Sequence, residues 1–158
     1  MESVAGHPHG LPPVYRCHIL PGMADLHERL ARATGFEWDA GNAAKSWSKH
    51  QVTQPECEQV FFNAPLVLAA DPDHSGAEAR FFALGRTDAG RRLLVVFTLR
   101  GTLVRVISAR PMSRREREVM LDELKMLANE RDVPYQSLLK VFLAERLAAE
   151  RARKRRAG

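Results

Sequence analysis

The stretch Arg80 to Arg110, RFFALGRTDAGRRLLVVFTLRGTLVRVISAR, constrains the fold more than any other part of this chain. It reads as three consecutive antiparallel strands. RFFALGR meets the polar turn Thr87-Asp88-Ala89-Gly90, whose glycine supplies positive φ at no steric cost. RRLLVVFTLR is rich in β-branched and aromatic residues, and Arg100-Gly101-Thr102 turns it back into LVRVISAR. A meander with one face left open is a platform. Arg80, Arg86, Arg91, Arg92, Arg100, Arg105 and Arg110 stud this one. Singly, each fits a solvated edge or turn; together they bias the sheet toward phosphate.

A length of 158 residues suits one domain with appendages, and 45% hydrophobic content is enough for a core. The net charge of +5 favours a polyanionic partner, since neutralised phosphates release counterions, but it says nothing about fold. Cys17 and Cys57 lie far apart and form no metal-ligand spacing, which argues against a disulfide framework and for a reducing compartment. No apolar run approaches the ~18 to 20 residues of a membrane span. No charged and apolar leader opens the chain. Cytoplasm is the expected location, with no membrane partner.

Residues 1 to 35 differ in character from the rest of the chain. MESVAGHPHGLPP reads as loosely held, and His7 and His9 alone make a poor metal site. Met23, Leu26, Leu30 and Ala33 then fall at helical spacing, ended by Gly35. Phe36-Glu37-Trp38-Asp39 begins the main domain, with Asp39 as N-cap of a helix reaching Lys49-His50. A second helix runs from Thr53 or Gln54 to Phe61, with Pro55 and acidic residues in its first turn. Pro65–Ala70 is a short strand and Asp71–Gly76 a loop before the meander. Ser113-x-x-Glu116 is a capping box opening a helix whose apolar face is Met120, Leu124, Leu127 and Ala128. After Pro134, Tyr135, Leu138, Leu139, Phe142, Leu143 and Leu147 mark another one-sided helix. The basic run Arg151–Arg156 is either a solvated helix end or a nucleic-acid arm. The expected fold is therefore α+β: two N-terminal helices, a four-stranded antiparallel meander and two C-terminal helices.

The chain has no Gly-rich phosphate loop, HExxH or GxSxG. What remains is Lys49, His50, Glu78, Arg80, Arg105, Arg110 and Glu116 around one sheet, with no cofactor or metal implied. Metal-independent RNA cleavage asks for little more. A base takes the 2′-OH proton, an acid protonates the leaving 5′-oxygen, and fixed cations meet the charge on the phosphate. Plain ion pairing is the alternative for each Glu and Arg. Glu78 and Arg80 share a face if both are extended. Arg105 and Arg110 are an odd number apart, so a regular strand cannot present both on one face unless a bulge intervenes. His50 fits either a helix end or an acid. Trp38 and Trp47 fit either the core or a base stack.

These residues resemble a family. FEWD at 36–39, Lys49-His50, VFF at 60–62, GluxArg at 78–80, LGRTDAGRRL at 84–93 and VRVISAR at 104–110 look like the BrnT toxins of type II toxin–antitoxin systems. The resemblance implies a RelE-like α+β fold and a growth-arresting ribonuclease neutralised by a BrnA antitoxin. Carried over by position, it implies site residues Lys49, His50, Glu78, Arg80, Arg105, Arg110 and Glu116, with Glu78, Arg80 and Arg110 first. Asn42, Ser46, Pro111 and Met120 depart from the family pattern, where lysine, asparagine, an acidic residue and tyrosine are common.

Residues 121–147, LDELKMLANERDVPYQSLLKVFLAERL, resemble the helices of a CopG-type antitoxin without its DNA-reading strand. The expected organisation is an N-terminal extension (1–35), a BrnT-like toxin domain (36–119), an antitoxin-derived helical hairpin (120–152) and a basic tail (153–158). RNA, a cognate BrnA-like antitoxin and a second copy joined through 120–150 are the expected partners. The alternative function is a catalytically weak toxin–antitoxin fusion that binds or regulates.

Overall fold

The meander forms where β-branched and aromatic runs alternate with glycine turns. In the computed structural model, which describes residues 24–130, 132 and 134–157, its strands are β3 (Phe81–Arg86), β4 (Arg92–Arg100) and β5 (Leu103–Pro111). Gly90 and Gly101 make its turns at φ of 85° and 59°, values that L side chains rarely adopt. β2 (Val67–Ala70) pairs antiparallel with β3. The helices are α1 (Ala24–Ala31), α2 (Ala40–Ala43), α3 (Lys45–His50), α4 (Gln54–Phe62), α5 (Arg114–Glu130) and α6 (Tyr135–Ala157).

The sheet has five strands rather than the expected four. Gly35–Glu37, β1, pairs in parallel with β5, giving the order β1-β5-β4-β3-β2. Three residues carry no readable alternation, so this strand escapes sequence periodicity. The expected Asp39–His50 helix is also two helices, divided at Ala44. Asp39 caps the first, accepting from Gly41 and Asn42 backbone N–H groups at 2.9 Å. Beyond β1, the open edge of β5 is satisfied by side chains from this helix pair. Asn42 Nδ2 donates to Val106 O at 2.8 Å, and Ala109 N donates to Ser46 Oγ at 2.8 Å. Both polar residues are buried. Thus Asn42 and Ser46 do structural work that an unpaired strand edge demands.

One sheet face carries Leu68, Ala83, Leu93, Val95, Phe97, Val104, Val106 and Ala109 into the main core. Leu26, Leu30 and Ala33 from α1 and beyond, with Cys57, Val60 and Phe61 of α4, cover it. Gly85 is required there: a Cβ would stand 2.7 Å from Val60 Cγ1 and 3.1 Å from its carbonyl oxygen. The opposite face is divided. Val67, Leu84 and Leu94 pack against Met112 and Met120, so α5 covers one half. The other half is polar. The expected capping box opens α5: Ser113 N donates to Glu116 Oε2 at 2.7 Å, and Glu116 N to Ser113 Oγ at 3.3 Å. Leu143 and Leu147 of α6 are exposed. Side chains at Leu127, Tyr135, Leu138, Leu139 and Phe142 lie outside the described residues, as does 1–23 with His7, His9, Cys17 and Met23.

Candidate active site

Register assembles the uncovered half-face. Glu37 of β1 stands opposite Arg105 of β5, which stands opposite Thr98 of β4. Phe81 pairs with Phe97, so Arg80, one residue earlier, continues the row beside Thr98. Asp71 N donates to Arg80 O at 2.9 Å, extending the row past the end of β2. Glu37, Arg105, Thr98, Arg80 and Asp71 therefore cross the sheet in one line, five strands at ~4.8 Å spacing. Buried Thr98 lies at its centre and donates to Ala79 O at 2.8 Å.

The arginines around Arg80 on this half-face are already matched. Arg105 donates to Asp39 Oδ2 at 2.6 Å and lies 3.5 Å from Glu37. Arg100 donates to Glu78 Oε1 at 2.8 Å and Oε2 at 3.3 Å, and to Glu37 at 3.1 Å. Arg80 is different. Its guanidinium makes no hydrogen bond or ion pair with another described residue, while its charge acts on nearby Glu78. The Arg100 hydrogen bonds, more than any other influence, hold the Glu78 carboxyl below the usual glutamate range.

On the other side of Arg80 sits a pair within the segment expected only as a loop. His74, in the 3-10 turn Pro72–His74, places Nδ1 at 3.0 and 3.2 Å from the Asp71 carboxylate oxygens. Asp71 has a side chain only 6% exposed, whereas that of His74 is 69% exposed. An acid fixed beneath an imidazole orients the ring and leaves Nε2 outward. Ser75 ties this loop to the row: its hydroxyl donates to Asp71 O at 2.7 Å and accepts from Arg80 N at 3.0 Å. The Asp-x-x-His spacing within a turn was the available sequence signal.

Arg110 shares this face. Val96 pairs with Ser108 but Phe97 pairs with Val106, so Ile107 is an extra residue and a bulge resets the parity of β5. Arg110 then falls opposite Leu94, four residues from Thr98 along β4, or about 13 Å. It grips Glu116 with both nitrogens at 2.8 and 2.7 Å. That bidentate bond is the main reason why the Glu116 carboxyl lies below the ordinary glutamate range and the Arg110 guanidinium above its own. Lys49 and His50 are not brought to the row. His50 O accepts from Arg91 Nη2 at 2.9 Å, beside the start of β4. Trp38 packs on the core and donates to Glu58 at 2.9 Å, while Trp47 is exposed. No group of three metal-ligating side chains occurs among the described residues.

Residues 38–116, half of the chain, match the family model described as "Ribonuclease toxin, BrnT, of type II toxin-antitoxin system". This chain belongs to the BrnT family. Residues 108–146 of this BrnT-family ribonuclease toxin match a second model, "CopG antitoxin of type II toxin-antitoxin system". The two matches meet at the end of β5 and the first turn of α5. The crystal structure of the Brucella abortus ribonuclease toxin, BrnT, is similar at 22% identity and a TM-score of 0.39. That comparison covers 51% of this chain and 97% of that one. Comparison with curated proteins gives no match. No helix among the described residues is long and apolar enough to cross a membrane.

Proposed function

We propose that this BrnT-family toxin cleaves RNA at the polar row, with Arg80 seating the scissile phosphodiester. The observation that carries this reading is the unmatched Arg80 guanidinium, flanked by Glu78 on one side and the Asp71–His74 pair on the other. Arg80 meets the charge that develops on the nonbridging oxygens. Glu78, held ionised at neutral pH by Arg100, is the base that accepts the 2′-OH proton.

Neither carboxylate can serve as the acid. Glu78 and Glu116 each have a guanidinium partner that favours the charged form, so neither holds a proton to give at neutral pH. The acid is a histidine. His50 lies toward the Arg92 end of β4, six residues from Thr98 and about 20 Å away. His74 belongs to the row's own loop, and its Nε2 donates to the leaving 5′-oxygen. The 2′-oxygen bonds to phosphorus as the P–O5′ bond breaks, so the products are a 2′,3′-cyclic phosphate and a 5′-hydroxyl. Arg105, Arg110 and Glu116 position neighbouring phosphates and the start of α5; Lys49 and His50 serve farther along the strand. RNA is the substrate, a BrnA-like antitoxin the neutralising partner, and 120–150 the segment available for self-association.

Full-length protein incubated with RNA in EDTA tests this directly. Cyclic-phosphate and 5′-hydroxyl ends are expected, with no cutting of 2′-O-methyl RNA. Products bearing 5′-phosphates would exclude the mechanism. A second reading, a weak toxin held in check by its own tail, is favoured by α5, which already covers half of the sheet face.

A further inference from the structure

At the opposite end of the same sheet face, four guanidinium groups converge, three of them without an ion-pair partner among the described residues. Arg86 of β3 and Arg92 of β4 stand directly opposite each other in register. Like charges at such a cross-strand pair, with Cβ atoms ~5 Å apart, repel. Burial first, and then the Arg92 charge, hold the Arg86 guanidinium below the usual arginine range. From α5 come Arg114 and Arg117. These four arginines rim a cavity of about 310 Å³ whose apolar wall includes Pro65, Met120, Leu121 and Leu124. Glu118, the only acid lining it among the described residues, bonds Arg114 at 3.1 Å. Arg86, Arg92 and Arg117 make no ion pair with any described residue.

A folded chain that keeps three unmatched guanidiniums together, one of them half-buried, raises its own electrostatic energy unless an anion arrives. The cavity's size is that of a small-molecule site rather than a groove for an extended chain. Its chemistry is divided: planar forks at the rim, which suit phosphate oxygens, and a thioether and leucines behind, which suit a flat apolar body. We infer that this cavity between β3, β4 and α5 binds a nucleotidyl group, phosphate at the arginines and base against Met120, Leu121 and Leu124. The group comes either from a free nucleotide or from an RNA strand. Neither source depends on cleavage at Arg80.

The test is calorimetric titration of the full chain with adenosine 5′-monophosphate, a non-cleavable 2′-O-methyl RNA oligomer and oligoglutamate. Arg86→Gln and Arg117→Gln are compared with the parent and with Arg32→Gln. Saturable mononucleotide binding is expected, weakened on the order of tenfold or more by either pocket substitution. Arg32→Gln, exposed just after α1 on the other side of the sheet, is expected to keep mononucleotide affinity within about twofold. If an RNA strand is the source, the oligomer binds tighter than the mononucleotide. Its log K against log salt slope then becomes shallower by about 0.7 in Arg86→Gln. If a free nucleotide is the source, oligomer binding is unchanged by that substitution. Arg117 lies on the exposed surface of α5, so its variant reports on binding without disturbing the sheet. Arg86→Gln also removes the facing like charge, so its melting temperature should equal or exceed the parent's. The inference is overturned if neither nucleotide probe responds to the pocket substitutions, or if oligoglutamate alone occupies the cavity.

Discussion

At the residue scale, the chemistry rests on differences between neighbouring ionisable groups. Arg100, Arg105 and Arg110 resemble Arg80 in sequence, yet each is tied to a carboxylate and Arg80 is not. Matched cations fix geometry; the unmatched one is available to substrate. His74 depends in turn on Asp71. Replacing His74 by Gln should lower kcat about 10²-fold with the melting temperature unchanged. Asp71→Asn should keep part of the activity, because the ring loses its anchor and not its nitrogen. A His74→Gln rate within about twofold of the parent's would show that this imidazole is not the acid. Glu78 sets the acidic side: its folded value lies below the ordinary glutamate value of 4.5, so activity should persist to below that pH before falling. In the sequence, spacing puts Glu78 and Arg80 on one face and the family resemblance ranks them, with Arg110, first. Neither separates free from paired arginines, because that depends on which carboxylates the fold brings alongside.

At the element scale, the bulge and the β5 edge decide what the sheet displays. Without Ile107 as the extra residue, Arg105 and Arg110 would face opposite ways, as strict alternation requires. The odd spacing was visible in the sequence, but a bulge leaves no periodic signal of its own. β-branched and aromatic runs between glycine turns mark β3, β4 and β5, and Ser113-x-x-Glu116 marks the start of α5, because each is long or chemically distinctive. β1 is three residues long and was invisible for that reason. The roles of Asn42 and Ser46 also needed coordinates, since their partners are backbone groups 64 and 63 residues away. Asn42→Ala should cost about 1–3 kcal/mol in chemical denaturation, leaving Val106 O without its donor and Asp39 N without its acceptor. Gly85→Ala should cost a similar ~1–3 kcal/mol, because Val60 leaves no room for a methyl group. A Gly85→Ala protein as stable as the parent would mean that α4 does not press on β3 at this position.

At the scale of the whole molecule, two charge distributions share one sheet face, and α5 lies between them. Several carboxylates, among them Glu56 and Glu116, have folded values below their ordinary 4.5. The unfolded chain therefore takes up protons first as pH falls. Their contribution is fully present above that ordinary value and is lost as pH drops through the depressed folded values. Melting temperature should fall steadily below pH 4.5. In Glu116→Gln the loss at neutral pH should be ~1 kcal/mol, since the Arg110 pair is partly screened by solvent. Part of the acid dependence should vanish with it.

The antitoxin-like segment adds a test of the tail. Shortening the chain after Glu130 keeps α5 over the sheet and removes α6. If α6 restrains the site, the shortened toxin should cut faster; equal rates would place any restraint in α5. The central claim is that the unpaired Arg80 guanidinium, between Glu78 and the Asp71–His74 pair, seats the phosphate. Single-turnover RNA cleavage in EDTA by the full chain and by Arg80→Ala measures it most directly. A rate loss on the order of 10²–10³ with an unchanged melting temperature is the predicted result. An Arg80→Ala rate within about twofold of the parent would contradict the account, since one lost cationic contact to the transition state cannot be that small.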